Sequence, residues 1–69
     1  MTSQKAQRRS LVRAMQRHLL AAAQELRSVE RLASEDNLEP LAASAAAVAL
    51  QAEDLLEWLR RHAALEAQL

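Results

Sequence analysis

Ser34-Glu35-Asp36-Asn37-Leu38-Glu39-Pro40 is the stretch that decides the fold. On either side of it runs a long tract of helix-forming residues, and within it lies the only proline of a chain that has no glycine at all. Proline cannot donate a backbone hydrogen bond and disfavours helical geometry in the residue before it, so Pro40 belongs in the opening turn of a second helix. Asn37 is the preferred cap of that helix; Glu39 ahead of a Pro40 in the first helical position is the rival. The acidic cluster here suits the positive end of a helix dipole, and Arg60, Arg61 and His62 suit the negative end. A connection this short between two long helices makes them antiparallel neighbours.

Working outward, helix 1 is expected over about residues 3–33, the loop over 34–37 and helix 2 over about 38–67, a single domain spanning 1–69. Thr2 or Ser3 caps the first turn. Apolar positions in helix 1 follow a 4-3 alternation, Val12, Met15, Leu19, Ala22, Leu26, Val29 and Ala33, which keeps a narrow stripe facing a partner helix. The matching stripe in helix 2 is Leu41, Ala45, Val48, Ala52, Leu55 and Leu59, with Leu56 and Ala63 beside it. Residues 41–50 (LAASAAAVAL) put small side chains on every face, which permits close approach of neighbouring backbones.

The composition agrees. Alanine, leucine, arginine, glutamate and glutamine dominate, and these are strong helix formers. Three valines, no isoleucine and a single aromatic residue, Trp58, exclude a β-rich fold. The fold class is therefore all-α, an antiparallel two-helix hairpin that dimerises into a four-helix bundle. At 69 residues a single core rarely contributes more than roughly 3–5 kcal/mol. The absence of cysteine excludes disulfides and thiolate metal sites, which leaves association with another chain as the remaining support.

Charge divides by half. Residues 1–34 carry seven basic and two acidic side chains, and residues 35–69 carry two basic and seven acidic ones, so a net charge of zero conceals halves of +5 and −5. Folding back is expected to bring Arg13 and Arg17 near Glu53 and Glu57, and Lys5, Arg8 and Arg9 near Glu66. Residues 1–24 are arginine-rich and free of acidic groups, as organellar transit peptides are, but the same residues read better as the first half of a bundle helix. The apolar run Leu19–Ala23 is too short for a secretory signal, and no stretch approaches the ~20 apolar residues of a membrane span.

A two-helix hairpin cannot shield apolar groups all round. Leu20, Leu50, Trp58, Leu65 and Leu69 lie off the main stripes, and Leu50, Trp58, Leu65 and Leu69 are the expected partner-binding residues, with Trp58 as the anchor. The partner is a second copy, another helical protein, or both. Lys5, Arg8, Arg9, Arg13 and Arg17 are the candidates for contact with nucleic acid through phosphates, although no aromatic residue interleaves them and the acidic half lies close by. His62 and Glu66 are four apart on a helix, but two side chains without further ligands make a weak metal signal. No catalytic, cofactor-binding or metal-ligating residues are expected, nor a small-molecule substrate or a membrane partner. The expected setting is cytoplasmic.

The opening Met1-Thr2-Ser3-Gln4-Lys5, followed by a basic helix, resembles the Rop family of plasmid copy-number regulators. Those are hairpins of similar length that dimerise into four-helix bundles and bind paired RNA loops. The layout of Arg17–Leu59, helix, short break and leucine- and alanine-rich helix, is similar to the small helical co-chaperones of type III secretion needle subunits, hairpins that clamp a partner chaperone. The first resemblance implies an RNA-binding regulator, the second a co-chaperone. Neither rests on a diagnostic motif, and no functional residue is carried over from either. The expected function is thus a non-enzymatic adaptor, co-chaperone or small regulator working through helix–helix association, with a nucleic-acid-binding regulator as the alternative.

Overall fold

Asn37 turns the chain. It has φ = 60°, the left-handed region that asparagine tolerates better than other residues with a side chain. In that conformation the Leu38 amide donates to the Ala33 carbonyl at 2.8 Å and the Asn37 amide to the Ser34 carbonyl at 3.1 Å. These are the two bonds of a Schellman motif, with asparagine where glycine is usual. Asn37 therefore ends the first helix and does not cap the second, contrary to the sequence expectation. Leu38 precedes the second helix, its carbonyl accepting from the Ala42 amide at 2.9 Å. Pro40 takes the second helical position, where its missing N–H costs nothing.

The computed structural model describes the backbone of residues 4–68 and the side chains of residues 4–63. Helix α1 spans Gln4–Glu35 and α2 spans Glu39–Gln68, so α1 runs two residues beyond its expected end. The two pack side by side as an antiparallel hairpin, one helix thick, with extents of 55 × 20 × 10 Å. Among the described residues no strand occurs, and no helix is long and apolar enough to cross a membrane.

The seam between the helices is not quite the one the sequence suggests. On α1 Ala23 and Ala33 are buried and Val12, Gln16, Leu19, Leu26 and Glu30, half-buried, continue their line, with Ala14, Arg27 and Ser28 half-buried outside it. On α2 Ala42, Ala45, Ala49, Ala52, Leu56 and Leu59 are buried, with Ala63 half-buried. Both sets keep the 4-3 alternation. They share Val12, Leu19, Leu26 and Ala33, and Ala45, Ala52 and Leu59, with the expected stripes, but every other position is displaced by one residue. Met15, Ala22 and Val29 give way to Gln16, Ala23 and Glu30; Leu41, Val48 and Leu55 give way to Ala42, Ala49 and Leu56. Size favours the shift at Ala42 and Ala49, which take the places of Leu41 and Val48, and the other four positions turn with them. Six of the eight buried apolar residues are alanines, and Ala49 has 0% exposure. Small side chains let two backbones approach closely, and this favours the alanine stripe over its bulkier neighbour.

Candidate functional site, an apolar face of the hairpin

Displacing the seam leaves the larger side chains outside. Leu11, Met15, Val29 and Leu32 on α1, and Leu41, Val48, Leu55 and Trp58 on α2, are all exposed, Leu11 and Trp58 to 60%. On each helix these residues lie on the flank reached by stepping back one position from a buried one, as from Ala23 to Ala22 or from Ala49 to Val48. Viewed from one end, antiparallel helices wind in opposite senses, so the two backward flanks fall on the same side of the hairpin. The forward flanks must then share the other side. Arg27 follows Leu26, Glu53 follows Ala52, and those two side chains meet. The hairpin therefore has an apolar front, built from both helices, and a more polar back on which Leu20 and Leu50 are also exposed.

Arg27 organises the back. Its Nε and Nη2 donate to Glu53 at 3.2 and 2.7 Å, and its Nη1 donates to Glu30 at 3.0 Å. These hydrogen bonds hold the Arg27 guanidinium charged well above its ordinary range and hold the Glu53 carboxyl below the ordinary glutamate value. Both side chains are roughly 40% exposed, at 42% and 40%, so the bridge sets alignment more than it supplies stability. The expected pairing of Glu53 with Arg13 or Arg17 is thus replaced by Arg27. Side chains lean toward the N-terminus of their own helix, so Arg27 reaches away from the turn while Glu53 reaches back to it. Glu57 pairs with Arg61 at 3.1 Å within α2, and the expected partner Glu66 lies outside the described side chains.

Of the expected partner-binding residues, Leu50 and Trp58 are exposed, at 54% and 60%. Trp58 borders the apolar front and stacks on His62, ring centroids 4.9 Å apart and nearly parallel. Leu50, eight residues earlier, is turned about 80° from Trp58 and toward the polar back. Leu65 and Leu69 lie outside the described side chains. Sequence reasoning missed the front residues Leu11, Met15, Val29, Leu32, Leu41, Val48 and Leu55 as a surface because it assigned most of them to the interior. The signal was present as a second 4-3 stripe next to the first.

The candidate phosphate-contacting residues Lys5, Arg8, Arg9, Arg13 and Arg17 are exposed on the N-terminal half of α1. They do not form one line. Arg9, Arg13 and Arg17, with Ala6 and Ser10, line a shallow open depression of about 310 Å³. Arg8 lies on the other flank, toward the apolar front. Among the described residues no cluster of three or more histidine, cysteine or carboxylate side chains is arranged to hold a metal.

No family model matches this chain, and neither the characterised proteins nor the solved structures compared with it include a match. The likeness to the two hairpin families named above is accordingly one of layout.

Proposed function

We propose that this chain is a non-enzymatic helical interaction module, an adaptor, co-chaperone or small regulator, and that its apolar front is the surface it works through. One observation carries this reading. The hairpin buries six alanines with Leu56 and Leu59, and it leaves Leu11, Met15, Val29, Leu32, Leu41, Val48 and Leu55 exposed along one face. A continuous exposed apolar surface of this kind is what a protein–protein contact removes from water. The partner is helical, because two parallel ridges of leucine, valine and tryptophan at 4-3 spacing accept a helix or a second hairpin to complete a bundle. Four-helix association of two hairpins is the simplest form of it. A cysteine-free chain is compatible with a reducing compartment, which supports a cytoplasmic setting.

Leu55→Glu tests the reading. Leu55 is 56% exposed, so a carboxylate there leaves the hairpin folded by circular dichroism while it weakens association at least ~10-fold. A variant that associates as strongly as the parent in sedimentation removes the front from the mechanism.

The arginine-lined depression supports a second reading, an anion or nucleic-acid contact by Arg9, Arg13 and Arg17. Replacing all three with glutamine should abolish retention on RNA at low salt and flatten its salt dependence. Unchanged retention removes it.

A further inference from the structure

We infer that the occupant of the apolar front is a second copy of this chain, laid antiparallel so that α1 lies across α1 of the partner and α2 across its α2. This rests on the reading of the front as an association surface and adds the partner and its geometry.

The argument is the symmetry of the face. In order, the front positions of α1 are Leu11, Met15, His18, Ala22, Glu25, Val29 and Leu32. Between residues 11 and 32, inside Arg8 on the same flank, they read alike from either end: leucine at each limit, an aliphatic chain next, then one basic and one acidic group, with the smallest side chain in the middle. Two such stripes crossing antiparallel at Ala22 set Leu11 against Leu32 of the partner subunit and Met15 against Val29 of the partner subunit. His18 then faces Glu25 of the partner subunit, and the two-fold axis repeats each contact. Self-complementarity of this form is the requirement of an isologous dimer.

Helix α2 is consistent with the same axis. Its front positions Leu41, Ser44, Val48, Gln51, Leu55, Trp58 and His62 include no carboxylate, lysine or arginine. Val48 and Trp58 lie at equal distances from residue 53, and that centre stands sixteen residues after Asn37, while Ala22 stands fifteen before it. One two-fold axis therefore serves both helices, with Val48 set against Trp58 of the partner subunit. The other bundle arrangement, α1 across α2 of the partner, would leave Glu25 against uncharged positions. A parallel contact of two α1 helices would align their basic N-terminal halves, which repel. The face is also large enough: a 55 × 20 Å hairpin offers a surface comparable with the ~800 Å² per partner that a stable interface buries.

Cysteine cross-linking tests the geometry, because the chain has no cysteine of its own. Ala22→Cys, next to the axis, should form a disulfide-linked dimer under mild oxidation. Leu11→Cys mixed with Leu32→Cys should cross-link, while each alone should not. His18→Glu should weaken sedimenting dimers ~10-fold or more, and adding Glu25→Lys should restore most of the loss. All five substituted side chains are exposed, so circular dichroism checks that the hairpin remains intact. A dimer in which Ala22→Cys links to Leu55→Cys but not to itself overturns the arrangement while leaving the association surface in place. A parent chain that sediments as a monomer throughout the micromolar range overturns the second copy as occupant. The association reading itself falls only if Leu55→Glu also leaves every association unchanged.

Discussion

Ala49 and Val48 are adjacent in sequence and belong to different surfaces. Ala49 is fully buried between the helices, and Val48 is 48% exposed on the front. The same contrast holds between Ala42 and Leu41, while Leu56 and Leu55 differ in burial but not in size. From Ala42 to Ala52 the inner seam of α2 occupies little space, leucine entering it only at Leu56 and Leu59, and the outer stripe offers the larger side chains. Burial in a hairpin this thin is thus governed by backbone approach. Complete burial of a Leu or Val side chain is worth about 1.5–3 kcal/mol, and with Leu41, Val48 and Leu55 about half exposed the isolated chain leaves a good part of that unused.

The largest test of this contrast is to reverse it. Ala49→Leu should lower hairpin stability by about 1–3 kcal/mol by forcing the helices apart, a large share of the roughly 3–5 kcal/mol available to a chain of this size. Val48→Ala should leave the fold of the single hairpin nearly unchanged and act on association alone. Thermal melts followed by circular dichroism, in dilute and concentrated samples, separate the two effects. An Ala49→Leu variant as stable as the parent would show that close approach does not decide the seam.

A smaller effect is expected at the turn, which keeps the two surfaces in register. Asn37→Ala should cost about 1 kcal/mol because alanine is strained at φ = 60°, whereas Asn37→Gly should match or slightly exceed the parent. Urea titrations of the three chains give the order directly.

The smallest effect concerns the back. Since Arg27 holds the Glu53 carboxyl below its usual value, the bridge supports the fold at pH above the ordinary glutamate range. That support is lost as pH falls through the lowered value of the folded state. Glu53→Gln should remove this part of the acid sensitivity, and added salt should shrink the difference between the two chains. A parent and variant with identical acid titrations would leave the bridge without a measurable role.

Much of the hairpin was legible from residues alone. The absence of glycine, the single Pro40 and the two 4-3 stripes gave two antiparallel helices with a turn near Asn37. The face that carries function was less legible for a definite reason. Val12, Leu19, Leu26 and Ala33, with Ala45, Ala52 and Leu59, belong to both possible seams, and hydrophobicity ranks Met15, Val29, Leu41 and Val48 above the Gln16, Glu30, Ala42 and Ala49 that face inward. The steric advantage of Ala42 and Ala49 between two helices reverses that ranking on α2, and the α1 stripe turns with it. Asn37 was misjudged because asparagine serves both as an N-cap and as a left-handed C-terminal residue, and the sequence shows no preference between them. The Arg27–Glu53 pairing depends on the lean of side chains along each helix, which charge counts do not contain.

Trp58 brings a practical consequence. As the sole aromatic residue it supplies all of the intrinsic fluorescence, and it sits on the front, stacked against His62, with most of its indole in water. Its emission in the lone hairpin should be red-shifted already and scarcely respond to unfolding. Covering the front should move it to the blue, so an unlabelled sample carries its own optical signal for docking, independent of whether the helices have formed.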